Sequence, residues 1–280
     1  VNYFEEKPRP ALSQYLECFW FASSDAAPVR VPERVLPDGC IEWIFHLGTP
    51  FRRLSQTNEW ELQPRSFVVG ELTRFILLQP AGPVATMGVR FRPGGAYRFL
   101  PFPVHLLTDR FVSTSDVWGR DGEFLEEVVL SAPTHPYRRH AVETFLLRRL
   151  IHSQPRRRFD AAMGEVMRSR GQLRVNQMAA AIGCSPRQLE REFRAAAGLS
   201  PKAMARVIRF QNLLGLIGAD TLRQWASVAV DCGYADQPHM VREFRDLTGQ
   251  SPTEHQSAPA GDLSRFFVSP QRLSDLLGAQ

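Results

Sequence analysis

The chain has 280 residues, 44% hydrophobic and 22% charged, with a formal net charge of +5; that length supports one large domain or two ordinary ones. No apolar run reaches the roughly 20 residues of a membrane helix, and the opening VNYFEEKPRP lacks the basic-then-apolar order of a signal peptide, so a cytoplasmic protein is expected. Cys18, Cys40, Cys184 and Cys232 are too scattered for a disulfide framework or zinc cluster and are read as small buried side chains.

In PALSQYLECFWF, Leu12, Tyr15, Leu16 and Phe19 recur at helical spacing. The short apolar runs IEWIFHLG, SFVVG, RFILLQ and VATMGVRF, bounded by Pro-Asp-Gly and Ala-Gly-Pro, read as strands. After RPGGAYRFL the pattern turns helical. SDVWGRDGEFLEEVVL and PYRRHAVETFLLRRLI read as two amphipathic helices, the first capped by Ser115 or Asp116, the second with Pro136 in its first turn. The polar stretch HSQPRRRFD marks a linker. The boundaries expected are an N-terminal domain over 1–153, a linker over 154–158, a helical domain over 159–256 and a tail over 257–280, where Phe266 and Phe267 are expected to pack onto a domain.

The charge excess is local. Residues 155–256 hold 15 Arg/Lys against 10 Asp/Glu, whereas the rest of the chain holds 19 of each. A basic segment beside a neutral one suits a polyanion partner.

That basic segment also contains a repeat. REFRAAAGLSP begins at Arg191 and REFRDLTGQSP at Arg242, 51 residues later. Upstream, Ala179 matches Ala229 and Gly183 matches Gly233 at an offset of 50, so the turn of the second copy carries one extra residue. Each copy reads as a helix with a small alanine, a glycine turn and a second helix capped by Ser185 or Asp236. This is a helix-turn-helix layout. Leu189 with Phe193, and Met240 with Phe244, are i, i+4 pairs that face a core. The outward faces then carry Arg187, Gln188, Glu190, Arg191 and Arg194 in the first copy, and Gln237, His239, Arg242 and Arg245 in the second. Arg, Gln and Glu are side chains that pair with base edges in a major groove. Between the copies, SPKAMARVIRFQNLLGLIGAD predicts a helix from Pro201 to about Ile217, roughly 25 Å long. Such a rod could set two reading helices about one DNA turn apart.

From Phe159 to His255 the chain resembles the AraC/XylS family of bacterial transcription regulators, on the motifs MAAAIGCSPRQLEREFRAAAGLSP and VAVDCGYADQPHMVREFRDLTGQSP. The resemblance implies an all-α domain of two helix-turn-helix units joined by a long helix. It implies base contacts from Arg187, Glu190 and Arg191 in the first unit and from Gln237, His239 and Arg242 in the second. Arg206 and Arg209 on the linker helix look placed for phosphate contact or for structural pairing. Three departures stand out: Met204 where the family has an aromatic residue, Leu213 where it has alanine, and Glu254–His255 in place of Tyr-Arg. Pro238 in the first turn of the second reading helix removes one base-contacting side chain.

The N-terminal half is similar to the sensing domain of one branch of the same family, on VLPDGCIEWIFHLG, VVGELTRFILLQP and MGVRFRPGGAYRFL. That similarity implies a small cupin-like β-barrel with flanking helices, and with the C-terminal domain an α+β protein. Trp43, Phe45, Arg90 and Arg92 are candidates to line a pocket for an anionic or aromatic effector. The alternative is a domain that only dimerises or contacts a protein partner. The partners expected are double-stranded DNA, RNA polymerase, an effector and a second copy of the chain, without a membrane. His46, His105, His135, His140 and His152 are isolated and lack the His-x-His spacing of a metal-dependent cupin; His46 with Cys40 and Glu42 could make at best a poor metal site, and His46 is read in preference as a plain strand histidine. There is no nucleophile elbow, phosphate loop or His-Glu-x-x-His. No catalytic residue, metal or cofactor is expected.

Overall fold

A computed structural model of the chain describes residues 2–24, 32–219 and 225–257. The tail with Phe266 and Phe267 lies outside the described residues. Among the described residues the N-terminal part holds ten strands: β1 (Asn2–Glu6), β2 (Leu16–Ser23), β3 (Glu33–Val35), β4 (Glu42–His46), β5 (Arg52–Leu54), β6 (Trp60–Leu62), β7 (Ser66–Val69), β8 (Ile76–Gln79), β9 (Ala85–Phe91) and β10 (Phe111–Ser113). The helices α1 (Thr114–Trp118), α2 (Arg120–Ser131) and α3 (His135–His152) follow. The C-terminal part is helical: α4 (Arg157–Arg168), α5 (Val175–Ile182), α6 (Pro186–Ala197), α7 (Pro201–Ala219), α8 (Trp225–Asp231), α9 (Gln237–Thr248) and α10 (Pro252–Ser257).

Two antiparallel sheets form, ordered β1-β2-β9-β4-β7-β10 and β3-β8-β5-β6. The expected barrel is not closed: no ladder joins the two sheets among the described residues. They stack instead, because the larger sheet is apolar on both faces. From β2, Cys18, Trp20 and Ala22 pack towards Leu78 of the smaller sheet, while Phe19 and Phe21 join the cluster of Trp43, Phe45, Trp118, Phe145 and Leu146 beneath α1–α3. The period-2 geometry of a strand sends alternate residues to opposite layers.

That two-sided burial explains one correction. The helical spacing of Leu12, Tyr15, Leu16 and Phe19 is realised as a turn over 10–15 followed by β2. LECFWFA is buried along its whole length, so its apolar pattern does not alternate and does not distinguish strand from helix. A second correction concerns SDVWGRDGEFLEEVVL. Gly119, at φ 59°, splits it into α1 and α2, and the cap of α1 is Ser113, whose hydroxyl accepts from the Asp116 amide at 3.1 Å. Pro136 does lie in the first turn of α3.

The two parts pack against each other. The Gln211 side chain of α7 donates to the Pro37 carbonyl at 2.6 Å. Tyr97 donates to Asp160 of α4 at 2.9 Å, and Leu36 joins the apolar cluster of α7, α8 and α9.

Candidate nucleic-acid interface

Each repeat folds as the sequence dictates locally. α5 ends on Gly183 and α8 is followed by Gly233, both with positive φ (70° and 76°), a conformation that costs glycine little. The Ser185 hydroxyl accepts from the Gln188 amide at 3.2 Å to start α6, and Asp236 accepts from the His239 amide at 2.6 Å to start α9. Ala179 and Ala229 are buried where the paired helices meet, as are Leu189, Phe193, Met240 and Phe244. The i, i+4 pairs thus fix which face of α6 and α9 turns inward, and Phe159 stacks edge-on against Phe193 as Phe210 does against Phe244.

The opposite faces are open. Arg187, Glu190, Arg191 and Arg194 are exposed and Gln188 is half-buried; Gln237, Arg242 and Arg245 are exposed and His239 is half-buried. Glu190 and Arg194 pair across one turn at 3.5 Å, and His239 lies edge-on to Tyr234. Arg187, Arg191 and Arg242 hold no ion pair among the described residues, so their guanidinium groups are free for an external acceptor. Pro238 occupies the first turn of α9.

Arg206 and Arg209 have a different role from the outward arginines. Arg209 contacts Glu243 at 2.9 Å, and Arg206 contacts Glu243 at 3.3 Å and Asp246 at 2.9 Å. Of the two readings open for them, structural pairing is the one the geometry displays. Glu243, 7% exposed, is a residue that sequence reasoning passed over, although the repeat signalled it: its equivalent Glu192 pairs with Arg156 at 3.3 Å. In Arg-Glu-Phe-Arg the phenylalanine fills the core, the glutamate ties the helix to an arginine of another element, and the flanking arginines point outward.

Residues 178–258 match a helix-turn-helix domain family, and residues 5–113 match a domain of unknown function, DUF6597. The C-terminal unit is an AraC-type helix-turn-helix domain. The protein is therefore a DNA-binding transcription regulator. No curated protein matches the chain. Among solved structures, an apo ToxT variant from Vibrio cholerae is 10% identical, with 90% of this chain and 98% of that one covered, at a TM-score of 0.45. ToxT with a bound unsaturated fatty acid is 9% identical over 84% of this chain and 96% of that one, at 0.41. A regulator with an AraC-type DNA-binding domain from Chromobacterium violaceum is 22% identical, covering 37% of this chain and 96% of its own, at 0.33.

In the N-terminal part of the chain, a cavity of about 60 Å³ lies between the two sheets. Trp20, Phe51, Phe67 and Phe111 supply apolar walls, and Asp38, Glu42, His46 and Gln63 polar ones. The sequence-predicted pocket residues are placed elsewhere. On β4 the pleat turns Glu42, Ile44 and His46 to this cavity and sends Trp43 and Phe45 to the helical layer, where Trp43 packs on Trp118 and bonds Thr114 at 2.8 Å. Arg90, 0% exposed, pairs with Glu42, and Arg92 donates to the Ser13 carbonyl on another surface. These four side chains do not converge. An anionic effector loses its reason, because Glu42 neutralises Arg90 and the remaining charged wall group, Asp38, is acidic. His46 is held neutral, its pKa lowered to about 4 by burial, and its nitrogens face Thr86 and Gln63 at 3.4 and 3.1 Å. It is a strand histidine, and no group of three metal-ligating side chains is present among the described residues. No helix there is long and apolar enough to cross a membrane.

Proposed function

We propose that the regulator reads two successive major grooves on one face of a duplex, with α6 in one and α9 in the other. The observation that carries this reading is the outward placement of Arg187, Arg191 and Arg242 on two equivalent, capped helices, free of ion pairs. Gln188, Glu190, Gln237 and His239 complete the two reading faces, and Arg194 and Arg245 flank them. The joining helix α7 has 19 residues, about 28 Å of rigid spacer, comparable with the ~34 Å of one DNA turn. A protein with this task works in the cytoplasm, where its DNA and RNA polymerase are.

The N-terminal unit modulates that binding through a small effector in the space between the sheets. Its walls suit a largely apolar molecule without negative charge. A second reading has its own observation. At about 60 Å³ the cavity is far below the roughly 300 Å³ of ordinary ligand sites, while Phe124, Tyr137 and Ile151 on α2 and α3 are exposed, as an N-terminal unit used only for dimerisation would require.

The deciding experiment is a titration of the full chain against a duplex from upstream of its own reading frame and a scrambled duplex, across a salt series. A specificity ratio of about 10³ with a steep salt slope is expected. Equal affinity for both duplexes, and for duplexes selected from a random pool, overturns the reading. For the effector, a thermal-shift screen separates the two readings: a ligand at about 100 times its Kd adds roughly 2.7 kcal/mol.

A further inference from the structure

We infer that the segment 70–76 is a strap through which the space between the two sheets acts on both reading helices at once; this rests on the reading that an effector enters that space. The two units meet at equivalent points of the repeat. Gly198 ends α6 and Gly249 ends α9. The last carbonyls of a helix lack donors within it, and here the N-terminal unit supplies them. Thr108 Oγ1 donates to the Gly198 carbonyl at 2.9 Å, and the Phe75 amide donates to the Leu247 carbonyl, also at 2.9 Å. The fit is close at both ends: a Cβ on Gly249 would lie 2.5 Å from the Phe75 ring, and one on Gly198 would lie 3.0 Å from Thr108 Oγ1.

One element joins the two grips. The Thr73 amide and hydroxyl donate to the Asp109 carboxylate at 2.8 and 2.6 Å, and the Asp109 amide donates to the Glu71 carbonyl at 3.0 Å. Gly70 lies hard against Leu107, with no room for a Cβ. Segments 70–76 and 107–109 therefore move as one piece, and that piece carries both donors.

The same strap walls the cavity with Gly70, Leu72 and Ile76. A cavity of about 60 Å³ admits a molecule larger than a few waters only if a wall moves. The β4 wall is held by ladders to β7 and β9 on its two sides, whereas residues 70–75 belong to no strand. The strap yields first. Its displacement shifts Thr108 and Phe75 together and so alters the ends of α6 and α9 in concert, the differential contact that coupling between sites requires.

The test is hydrogen exchange on the full chain, with Ile44→Phe as an internal surrogate for an occupant, since Ile44 faces the cavity from β4. Exchange is expected to rise at least about tenfold at 73–76, 195–198 and 245–249, with α4 and α5 unchanged. Adding Asp109→Gly, which suits the positive φ of 57° there and removes the carboxylate, is expected to silence the response at 195–198 while leaving that at 245–249. No change at either helix end, or equal acceleration across the whole C-terminal unit, overturns the strap. Should Ile44→Phe fail to fold, Val69→Ile, on another wall, makes a smaller insertion. Benzyl alcohol, benzylamine and cyclohexanol serve as thermal-shift probes of the effector reading. If none stabilises the chain while Ile44→Phe moves both helix ends, the strap stands and the effector reading loses its support. If one stabilises it at this cavity and the helix ends stay still, the strap falls and the effector reading stands.

Discussion

Arg209 on α7 grips Glu243 on α9 through nitrogen–oxygen contacts of 2.9, 3.0 and 3.3 Å. The pair locks α9 to the helix that joins the two units, and Arg206 adds a further contact to the same carboxylate. A nearly buried charge stripped of its partner is costly, typically about 3 kcal/mol. Glu243→Ala is therefore expected to lower stability by about that much in denaturant unfolding. Glu192→Ala, at the same place in the first copy, deprives only the more exposed Arg156 and is expected to cost under about 1 kcal/mol. Equal losses from the two substitutions would refute this assignment of roles.

The outward arginines predict the opposite combination of effects. Arg242→Ala is expected to leave the melting temperature unchanged, to weaken binding to a selected duplex by about 1–3 kcal/mol, and to relax preference at one base pair. Arg187→Ala is expected to do the same at a base pair about one helical turn away. Competition binding against duplexes varied one position at a time reads both, and untouched specificity in Arg242→Ala would show that α9 does not read bases.

The cap of α9 is separable from its outward face. Asp236 accepts from the His239 amide at 2.6 Å, so Asp236→Ala is expected to cost about 1 kcal/mol in unfolding and Asp236→Asn much less. If the two variants unfold alike, the cap contributes little.

The buried histidine predicts a pH dependence. Burial lowers the His46 pKa from 6.5 to about 4. The unfolded chain therefore binds a proton that the folded chain rejects, and the stability linked to His46 is full above about pH 6.5 and is lost as pH falls towards 4. The full effect is on the order of 3 kcal/mol. Glu71, whose carboxyl burial and Asp38 hold well above the usual range, acts in the opposite sense by losing stability as pH rises. Comparing the melting curve of His46→Gln with that of the parent between pH 7 and 5 isolates the histidine. Parallel slopes would mean that His46 does not titrate on unfolding.

Helices α6 and α9 were legible because everything that defines them is local. A positive-φ glycine, a capping side chain three residues before the amide it binds, and an i, i+4 apolar pair all lie within one or two turns of chain, and the repeat states them twice. The four strands read from short apolar runs also emerged, since each is bounded by its own turn residues. β2 did not, because a strand buried on both faces shows no alternation. β5, β6 and β10, three residues each, are too short to carry a pattern.

What the sequence determined by itself is therefore the type and capping of the C-terminal helices, the side chains they turn outward, and the basic balance of the segment that holds them. Only the tertiary structure decided three other matters: that Glu42, Ile44 and His46 rather than Trp43 and Phe45 face the space between the sheets, that Arg206 and Arg209 are paired with Glu243, and that Thr108 and Phe75 hold the ends of α6 and α9. The physical reason is common to all three. A pleat sends neighbours to opposite faces, but which face meets which layer depends on what packs there, and the partners of Arg209, Thr108 and Phe75 lie 34, 90 and 172 residues away along the chain.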